Sequence, residues 1–424
     1  MDSEAKEGVS RWMEALFGQW RPPIRGGSPI PARGRAFEGG KTFVFQLTQV
    51  FFGSSSPPET SRALDDETDP EQALEVARAH GVVAICHEAL IRMKDRNATL
   101  SAAGELFLRE RQLAAYRSIR TGRDLAQIVD AFHRAGILPV LLKGASLAFN
   151  VYPDPSLRPM GDLDLLVRKE DASKAQGALA TLGYSPAFVA ATRWEEENLL
   201  AHLPHQRAPG RIPVEIHFRL FPRAMPYFPD EEGLWDRVVW TTVEGRRALR
   251  LAPSDELLYL CGHLRKHAPS LYQLIWFCDV ALLWRKMGAG ELGIFFHLLA
   301  QSPRREEIEA VVRTARAWFL GEAVEAAHDL EAVMDSPLTV PDRDRPEALL
   351  RMEELLGHMP GWGPRVRFVA GYLFPRLSYI QQFHQVETRR GAWRWRLLRP
   401  FWVIGRAMGA LRARRGKQKA PALR

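Results

Sequence analysis

Apolar residues recur at helical spacing along most of the chain, and a different pattern interrupts them only in its middle part. The first clear helix opens at Asp69-Pro70-Glu71, where the residues predict an N-cap, a proline at the first helical position and an acid in the first turn. Apolar positions three and four residues apart predict further helices over 82–92, 101–119 and 121–135. After Pro253 the pattern is helical almost throughout, to about residue 373.

Short apolar runs replace the helical period between residues 136 and 222. The runs at 137–142 and 163–167 predict buried strands, and the alternation over 213–218 predicts a third. We therefore expect an α+β fold, with a small mixed sheet and flanking helices embedded in a mostly helical chain. The helices expected between these strands cover 144–151 and 171–182, the second ending before Gly183.

These changes of pattern divide the chain into five segments. The first is rich in Gly, Pro and Ser, which predicts a loosely ordered extension, and the last is basic and aromatic. The segments are an N-terminal extension (1–60), a helical N-terminal region (61–135), a mixed core (136–222), a helical C-terminal domain (223–387) and a basic aromatic tail (388–424).

Composition excludes several classes of protein. The 424 residues are 46% hydrophobic and 25% charged, which is ordinary for a globular protein and excludes a collagen-like fibre or a wholly disordered chain. Three cysteines (Cys86, Cys261 and Cys278) exclude a disulfide scaffold and indicate a reducing compartment. The N-terminus lacks an apolar signal region, and no apolar run reaches about 18 residues. We expect a soluble cytoplasmic protein that can contact the inner membrane surface.

The positive charge is concentrated in the tail. Thr388–Arg424 contains ten Arg, two Lys and no acid, so it carries +12, and since the whole chain carries +8, residues 1–387 carry −4. A uniformly basic nucleic-acid surface is therefore not supported, whereas a local electrostatic anchor is. Trp393, Trp395 and Trp402 alternate with arginines, a pattern that suits an anionic lipid surface, single-stranded nucleic acid or packing on the protein's own domain.

The candidate chemistry begins with a pair of acids. Residues two apart in a strand point to the same face, so Asp162 and Asp164 are expected side by side, with Leu163 and Leu165 buried behind them. Two acids this close repel, and burial raises the pKa of one or both. A divalent cation between them removes that cost, and Mg²⁺ typically binds through one or two carboxylates plus substrate phosphates. Glu215 in the third strand is the candidate for a third carboxylate ligand.

A strand-to-helix turn precedes the acid pair. Gly144 permits close backbone approach, and the N–H groups of the following helix suit a phosphate. Lys143 offers a point charge to that phosphate, and Ser146 offers a hydroxyl. Arg158 either contacts phosphate as well or forms a salt bridge that steadies the loop.

A second cluster suggests zinc but fits it poorly. His263 and His267 share one helix face, yet Leu264 stands where the zincin motif has glutamate, and Cys278 lies eleven residues beyond His267. A helix that lines the active-site cleft is the better interpretation. Asp279, in a strongly apolar segment, is expected to be a buried, hydrogen-bonded structural acid.

Together these motifs resemble a known family: the nucleotidyltransferase family of largely uncharacterised bacterial proteins, within the DNA polymerase β-like superfamily. The resemblance extends from about Asp69 to Leu283 and implies a polymerase β-like nucleotidyltransferase core over 136–222. The motifs that carry it are Lys143-Gly144, Tyr152-Pro153, Arg158, Gly161-Asp162-Leu163-Asp164 and Glu215-Ile216-His217.

The resemblance implies transfer of a nucleoside monophosphate from a nucleoside triphosphate to an acceptor, with pyrophosphate leaving. Two Mg²⁺ ions would stabilise the attacking and leaving oxygens. Asp162 and Asp164 would bridge both ions, and Glu215 would hold the catalytic ion and help to deprotonate the acceptor. The acceptor is expected to be a small metabolite or a sugar-containing molecule. The alternatives are a toxin-like transferase that acts on transfer RNA and a non-catalytic protein that docks on a membrane or a partner.

Overall fold

The structure is a computed structural model that describes residues 35–55, 69–93, 98–186, 192, 200–203, 205–223, 225–267, 271–336 and 361–402. Most of the predicted extension and residues 403–424 of the predicted tail lie outside the described residues. The helices are α1 (Arg35–Phe52), α2 (Pro70–Ala79), α3 (Val83–Arg92), α4 (Ala98–Arg134), α5 (Lys143–Asn150), α6 (Ala172–Ala180), α7 (Leu234–Arg237), α8 (Pro253–His267), α9 (Leu274–Lys286), α10 (Ala289–Gln301), α11 (Arg305–Phe319), α12 (Leu330–Asp335), α13 (Trp362–Leu373), α14 (Leu377–Phe383) and α15 (389–402).

The described strands form one mixed sheet. The strands are β1 (Val140–Leu141), β2 (Leu163–Leu166), β3 (Ser185–Pro186), β4 (Gln206–Arg207), β5 (Val214–His217), β6 (Val239–Val243) and β7 (Arg246–Arg250). Their order in the sheet is β3-β4-β5-β2-β1-β7-β6, with β2 parallel to β5 and β1 parallel to β7, and the other neighbours antiparallel. The expectation of an α+β fold with a small mixed sheet is confirmed.

Two apolar cores cover the two faces of this sheet. Leu163 and Leu165 of β2 point into a core shared with α4 and α6. Leu166 points into the larger core, which α8, α9 and α11 also supply. Because side chains alternate along a strand, Asp164 lies on the same face as Leu166, toward the larger helical body.

Several local predictions hold at the residue level. Asp69 caps α2 by accepting a hydrogen bond from the Glu71 backbone N–H at 2.9 Å, and Pro70 occupies the first helical position. Gly183 adopts a φ of +83° after α6, a conformation that glycine takes without steric cost. The three predicted strands are present as β1, β2 and β5, each somewhat shorter than predicted.

The predicted extension needs a correction at α1. Phe43, Val44 and Leu47 of α1 are fully buried in the larger core, and the helix packs against α2, α3 and α11. This part of the extension is therefore folded, because its apolar residues recur at helical spacing and complete the core.

The predicted break between helices at residue 120 is also wrong. The helix α4 continues from Ala98 to Arg134, and it packs against α2 and α3 near its start and against α6 and β7 near its end. Gly122, inside this helix, allows a close approach: an added Cβ would lie 3.1 Å from the Glu244 carboxylate. One continuous helix thus links the N-terminal helices to the sheet.

The hairpin of β6 and β7 was not predicted. Glu244 and Gly245 connect its strands, and both have positive φ, +48° and +75°, as a type I′ turn requires. Glutamate is uncommon at the first of these positions, so the sequence carries only half of the usual turn signal. The pairing of β7 with β1 extends the sheet beyond the predicted core.

The described part of the tail, α15, has two different faces. Trp395 stacks on His384 with ring centroids 4.1 Å apart, and Trp402 contacts the same ring edge-on. Trp395 and Trp402 therefore pack on the protein's own C-terminal segment, which was one of the alternatives for the tail. Contact with lipid or nucleic acid stays a prediction for the opposite face of α15. The exposed apolar side chains on that face are Trp393, Leu397 and Phe401. No helix in the described ranges has the length and apolar character to cross a membrane.

We predict that Phe43→Ala lowers the free energy of unfolding by about 3 kcal/mol or more, because it leaves a cavity in the larger core. Thr42→Ala, at an exposed neighbouring position of α1, should change it by less than about 0.5 kcal/mol. Denaturant unfolding of both variants gives the comparison. Equal, small effects would show that α1 does not belong to the folded body.

Candidate functional site

The parallel pairing of β2 with β5 brings two of the predicted acids together. Asp164 and Glu215 are directly opposite in this register. Both are buried, with exposed fractions of 3% and 8%, on the face of the sheet toward α8. The sequence indicated that the two strands could be neighbours, and the structure supplies the register that places these carboxylates side by side.

Two side chains donate hydrogen bonds to the Asp164 carboxylate. Its Oδ1 accepts hydrogen bonds from Lys143 Nζ at 2.7 Å and from His217 Nε2 at 2.9 Å. Burial acts to raise the pKa of Asp164, but Lys143 and His217 outweigh it and hold that pKa below its ordinary value. Asp164 is therefore a carboxylate at neutral pH.

Lys143 occupies a strained position to reach this acid. Its φ is +45°, in the left-handed region that residues with a side chain rarely adopt. Burial acts to lower the pKa of Lys143, yet the neighbouring Asp164 carboxylate raises it above its ordinary value. Backbone strain of this kind persists where the surroundings fix the conformation, and it is common at functional sites.

Asp162 differs from Asp164 in its surroundings. It lies just before β2 and is only partly buried. Burial and the adjacent Asp164 charge raise the pKa of Asp162 to about 6. The two acids of the predicted pair therefore differ in pKa. Repulsion and burial raise the pKa of Asp162, as the sequence predicts for one of the pair, whereas the pKa of Asp164 is lowered.

Three histidines surround Glu215, and sequence reasoning assigned a role to none of them. His205 Nε2 contacts Oε1 in a short hydrogen bond, His217 Nε2 lies 3.2 Å from Oε2, and His202 Nε2 lies 3.8 Å from the same oxygen. Burial acts to raise the pKa of Glu215, but the hydrogen bonds from His205 and His217 hold it well below its ordinary value. The signal in the sequence was the pair His202 and His205, three residues apart and shortly before β5.

His217 joins the two buried carboxylates. Because Asp164 Oδ1 and Glu215 Oε2 both only accept, Nε2 must carry the proton that they share. The other ring nitrogen, Nδ1, is buried and has no hydrogen-bond partner among the described residues. A buried polar atom left without a partner is uncommon in folded proteins.

The helix α8 borders this cluster, as the cleft-lining interpretation expects. Tyr259 and His263 lie close enough to Lys143 and Glu215 for their charges to act on both rings. Burial, then Lys143, lowers the pKa of His263 far below its ordinary value, so the ring is neutral. His263 and His267 approach to 3.2 Å between their Nε2 atoms. Neither belongs to a possible metal-binding group of three within the described ranges, and Cys261 and Cys278 are buried in the larger core.

One of the predicted phosphate contacts changes. Ser146 is fully buried beside the Glu256 carboxyl, whose pKa burial raises to about 7, so its hydroxyl has no access to a phosphate. Gly144 allows close packing against Met160, because an added Cβ would lie 2.7 Å from Met160 Cγ and would displace that side chain. Its predicted contact with phosphate stays a prediction.

Arg158 forms the salt bridge that was one of its two alternatives. Its Nε and Nη2 donate to the two oxygens of Asp279, each at 2.8 Å, and Tyr152 Oη donates to the same carboxylate at 2.7 Å. Asp279 is 1% exposed, so the prediction of a buried, hydrogen-bonded structural acid is confirmed. The pairing ties the loop before β2 to α9, and a phosphate contact of Arg158 stays a prediction.

The donor atoms in this cluster are oxygens and nitrogens of types that bind divalent cations. Asp162, Asp164 and Glu215 provide the carboxylate oxygens that Mg²⁺ prefers. Among the described residues, two groups of three side chains have ligand atoms within 4.8 Å of one another: Asp164, Glu215 and His217, and also His202, His205 and Glu215. The residues present therefore fit a divalent cation.

Comparison with known proteins points to one reaction class. A family model described as "Uncharacterised nucleotidyltransferase" matches residues 66–320. No curated protein matches the chain. The solution structure of antibiotic-resistance factor ANT(2'')-Ia is similar over 42% of this chain and 90% of that chain, at 12% identity and a TM-score of 0.31.

We predict that Lys143→Met lowers the free energy of unfolding by about 3 kcal/mol, because it removes the cation beside the buried Asp164. Adding Asp164→Asn should restore much of that loss, since no buried charge then lacks its partner. Lys174→Met, at an exposed position of α6, serves as the control and should change little. Denaturant unfolding of the metal-free chain measures all three; additive losses in the double variant would contradict the coupling.

Proposed function

Since the chain belongs to the uncharacterised nucleotidyltransferase family, we propose that it transfers a nucleoside monophosphate from a nucleoside triphosphate to an acceptor hydroxyl, with Mg²⁺ as cofactor. One observation carries this proposal. The register of β2 against β5 places Asp164 opposite Glu215, and Asp162 stands two residues before Asp164. Two buried carboxylates that face each other, with a third two residues before one of them, are a donor set that this chemistry uses.

The proposed reaction is a displacement at the α-phosphorus. The acceptor oxygen forms a bond to that phosphorus, and the bond from phosphorus to the oxygen that bridges to the β-phosphate breaks. Pyrophosphate leaves with the electron pair of the broken bond, and the carboxylate cluster takes up the acceptor's proton. Little covalent chemistry falls to the protein, so positioning and electrostatic stabilisation supply most of the rate.

Asp162, Asp164 and Glu215 would hold the cation, which we propose as two Mg²⁺ ions. Bound Mg²⁺ supplies positive charge against the negative charge that develops on the phosphate oxygens. Asp164 is held as a carboxylate by Lys143 and His217, so it is prepared to bind a cation at neutral pH. The protonated form of Asp162, favoured by its raised pKa, would give way when a cation binds.

The start of α5 would face the triphosphate. Lys143 places an ammonium group at the carboxylate cluster, and Gly144 keeps the turn close to Met160. The N-terminal N–H groups of a helix bind phosphate oxygens, and positive charge beside them adds to that attraction. We therefore assign Lys143 and Gly144 to nucleotide binding.

The acceptor that we propose is a small metabolite or a sugar-containing molecule. We propose that the reaction takes place in the cytoplasm. A toxin-like reaction on transfer RNA is the alternative within enzymes. A non-catalytic docking protein is the alternative outside them, and the intact carboxylate set speaks against it. The identity of the labelled product distinguishes all three.

The test is incubation of the chain with each labelled nucleoside triphosphate, Mg²⁺ and a lysate, followed by identification of the labelled product. We expect a labelled small molecule, and Asp162→Asn should reduce its formation about 100-fold or more. The variant should stay folded, because loss of this charge relieves repulsion with Asp164. Asp164→Asn is the less clean choice, since it also leaves buried Lys143 without its partner.

Glu170→Gln, at an exposed acid shortly after β2, is the matched control and should retain full turnover. Melting temperatures of the variants separate loss of chemistry from loss of fold. Labelled RNA would favour the transfer RNA reaction. Absence of label with every triphosphate, or normal turnover by folded Asp162→Asn, would refute the proposal.

A further inference from the structure

We propose that His202, His205 and Glu215 bind a first-row transition-metal cation of the Zn²⁺ class. The two imidazole nitrogens and the carboxylate oxygen lie within 4.8 Å of one another, close enough for one ion to contact all three. The inference replaces one of the two proposed Mg²⁺ ions: the ion nearest Glu215 would be of the Zn²⁺ class, and Asp162 with Asp164 would hold Mg²⁺. Any part that this ion plays in catalysis rests on the proposed function. Binding of the ion can be measured without turnover.

The hydrogen bonding of His202 fixes which of its nitrogens can bind a metal. Nδ1 lies 2.7 Å from the Leu203 carbonyl oxygen, which can only accept, so Nδ1 carries a proton. A backbone carbonyl contact of this type commonly orients a metal-binding histidine and leaves the other nitrogen as the ligand. In the neutral ring, Nε2 therefore presents a lone pair.

That lone pair faces an acceptor. Nε2 of His202 lies 3.8 Å from Glu215 Oε2, and the His202 side chain is only 17% exposed. Two acceptors that face each other at a poorly hydrated position repel, unless a proton or a cation lies between them. A cation bound to both atoms removes this repulsion, and the separation is suited to two ligands of one ion.

The backbone holds these ligands in place. His202 forms an isolated antiparallel bridge with His217, at the end of β5. His205 directly precedes β4, which pairs with β5 through Gln206 and Val214. The three ligands therefore lie on neighbouring segments of one sheet, where little rearrangement is needed to bind an ion.

The chemistry of the donors selects the cation. Imidazole suits Zn²⁺ and its first-row neighbours, whereas carboxylates and water suit Mg²⁺. Two imidazoles with one carboxylate are a common set for a zinc ion that keeps an open position. The His205 side chain is 32% exposed, so solvent reaches this side of the cluster. The Glu215 ion would thus differ from one held by Asp162 and Asp164.

The experiment is a titration of the metal-free full chain with Co²⁺, followed by visible absorption, with Zn²⁺ then added as competitor. We expect one equivalent of Co²⁺ to give the intense spectrum of a four- or five-coordinate site, and Zn²⁺ to displace it. A large excess of Mg²⁺ should not displace the bound Co²⁺. Absence of the spectrum, or displacement by Mg²⁺ as readily as by Zn²⁺, would overturn the proposal without any variant.

Two variants and two controls locate the ligands. His202→Ala and His205→Ala should each weaken Co²⁺ binding at least about tenfold, by loss of a ligand. His297→Ala, at an exposed histidine of α10, should bind as the unaltered chain does. Asp162→Asn should also retain the Co²⁺ spectrum, because Asp162 is not in this donor set. Unchanged affinity in folded His205→Ala would contradict the assignment.

The outcomes separate this inference from the proposed function. Stoichiometric Co²⁺ binding that depends on His202 and His205 supports the inference, even where no triphosphate is turned over. Nucleotidyl transfer that proceeds with Mg²⁺ in a chain that binds no Co²⁺ overturns the inference and leaves the proposed function standing.

Discussion

The structure depends on one electrostatic constraint: two carboxylates, Asp164 and Glu215, are buried next to each other across a parallel strand pair. Such a pair is stable only when positive charge and hydrogen-bond donors compensate it. Lys143 reaches Asp164 from the strained turn before α5, and His217 donates to both acids. The strain at Lys143 and the imidazoles around Glu215 follow from this constraint, as does the proposed binding of a cation.

The surrounding helices serve the same cluster. Arg158 and Asp279 form a buried ion pair that joins the loop before β2 to α9, so the position of Asp162 is tied to the larger core. The helix α8 borders the cluster and brings Tyr259 and His263 to it. Members of this arrangement lie far apart in sequence, so the fold is what brings them to the cluster.

Sequence reasoning succeeded where the signal is local and failed where it depends on pairing. The Asp69 cap, the strand around Asp164 and the buried Asp279 each follow from a few adjacent residues. The roles of His202 and His205 do not, because they arise only when the chain before β4 is placed against β5. The phosphate contact predicted for Ser146 failed for a similar reason, since only the fold shows that this hydroxyl is buried against Glu256.

The central claim is that a divalent cation joins the carboxylates to the substrate, and calorimetry with a non-hydrolysable nucleoside triphosphate tests it most directly. In Mg²⁺ the chain should bind the analogue, and chelation of all divalent cations should weaken that binding about 100-fold. The site would then recover its affinity when Mg²⁺ is restored. Equal affinity with and without the cation would contradict the account, because the nucleotide would then be held without the carboxylate cluster.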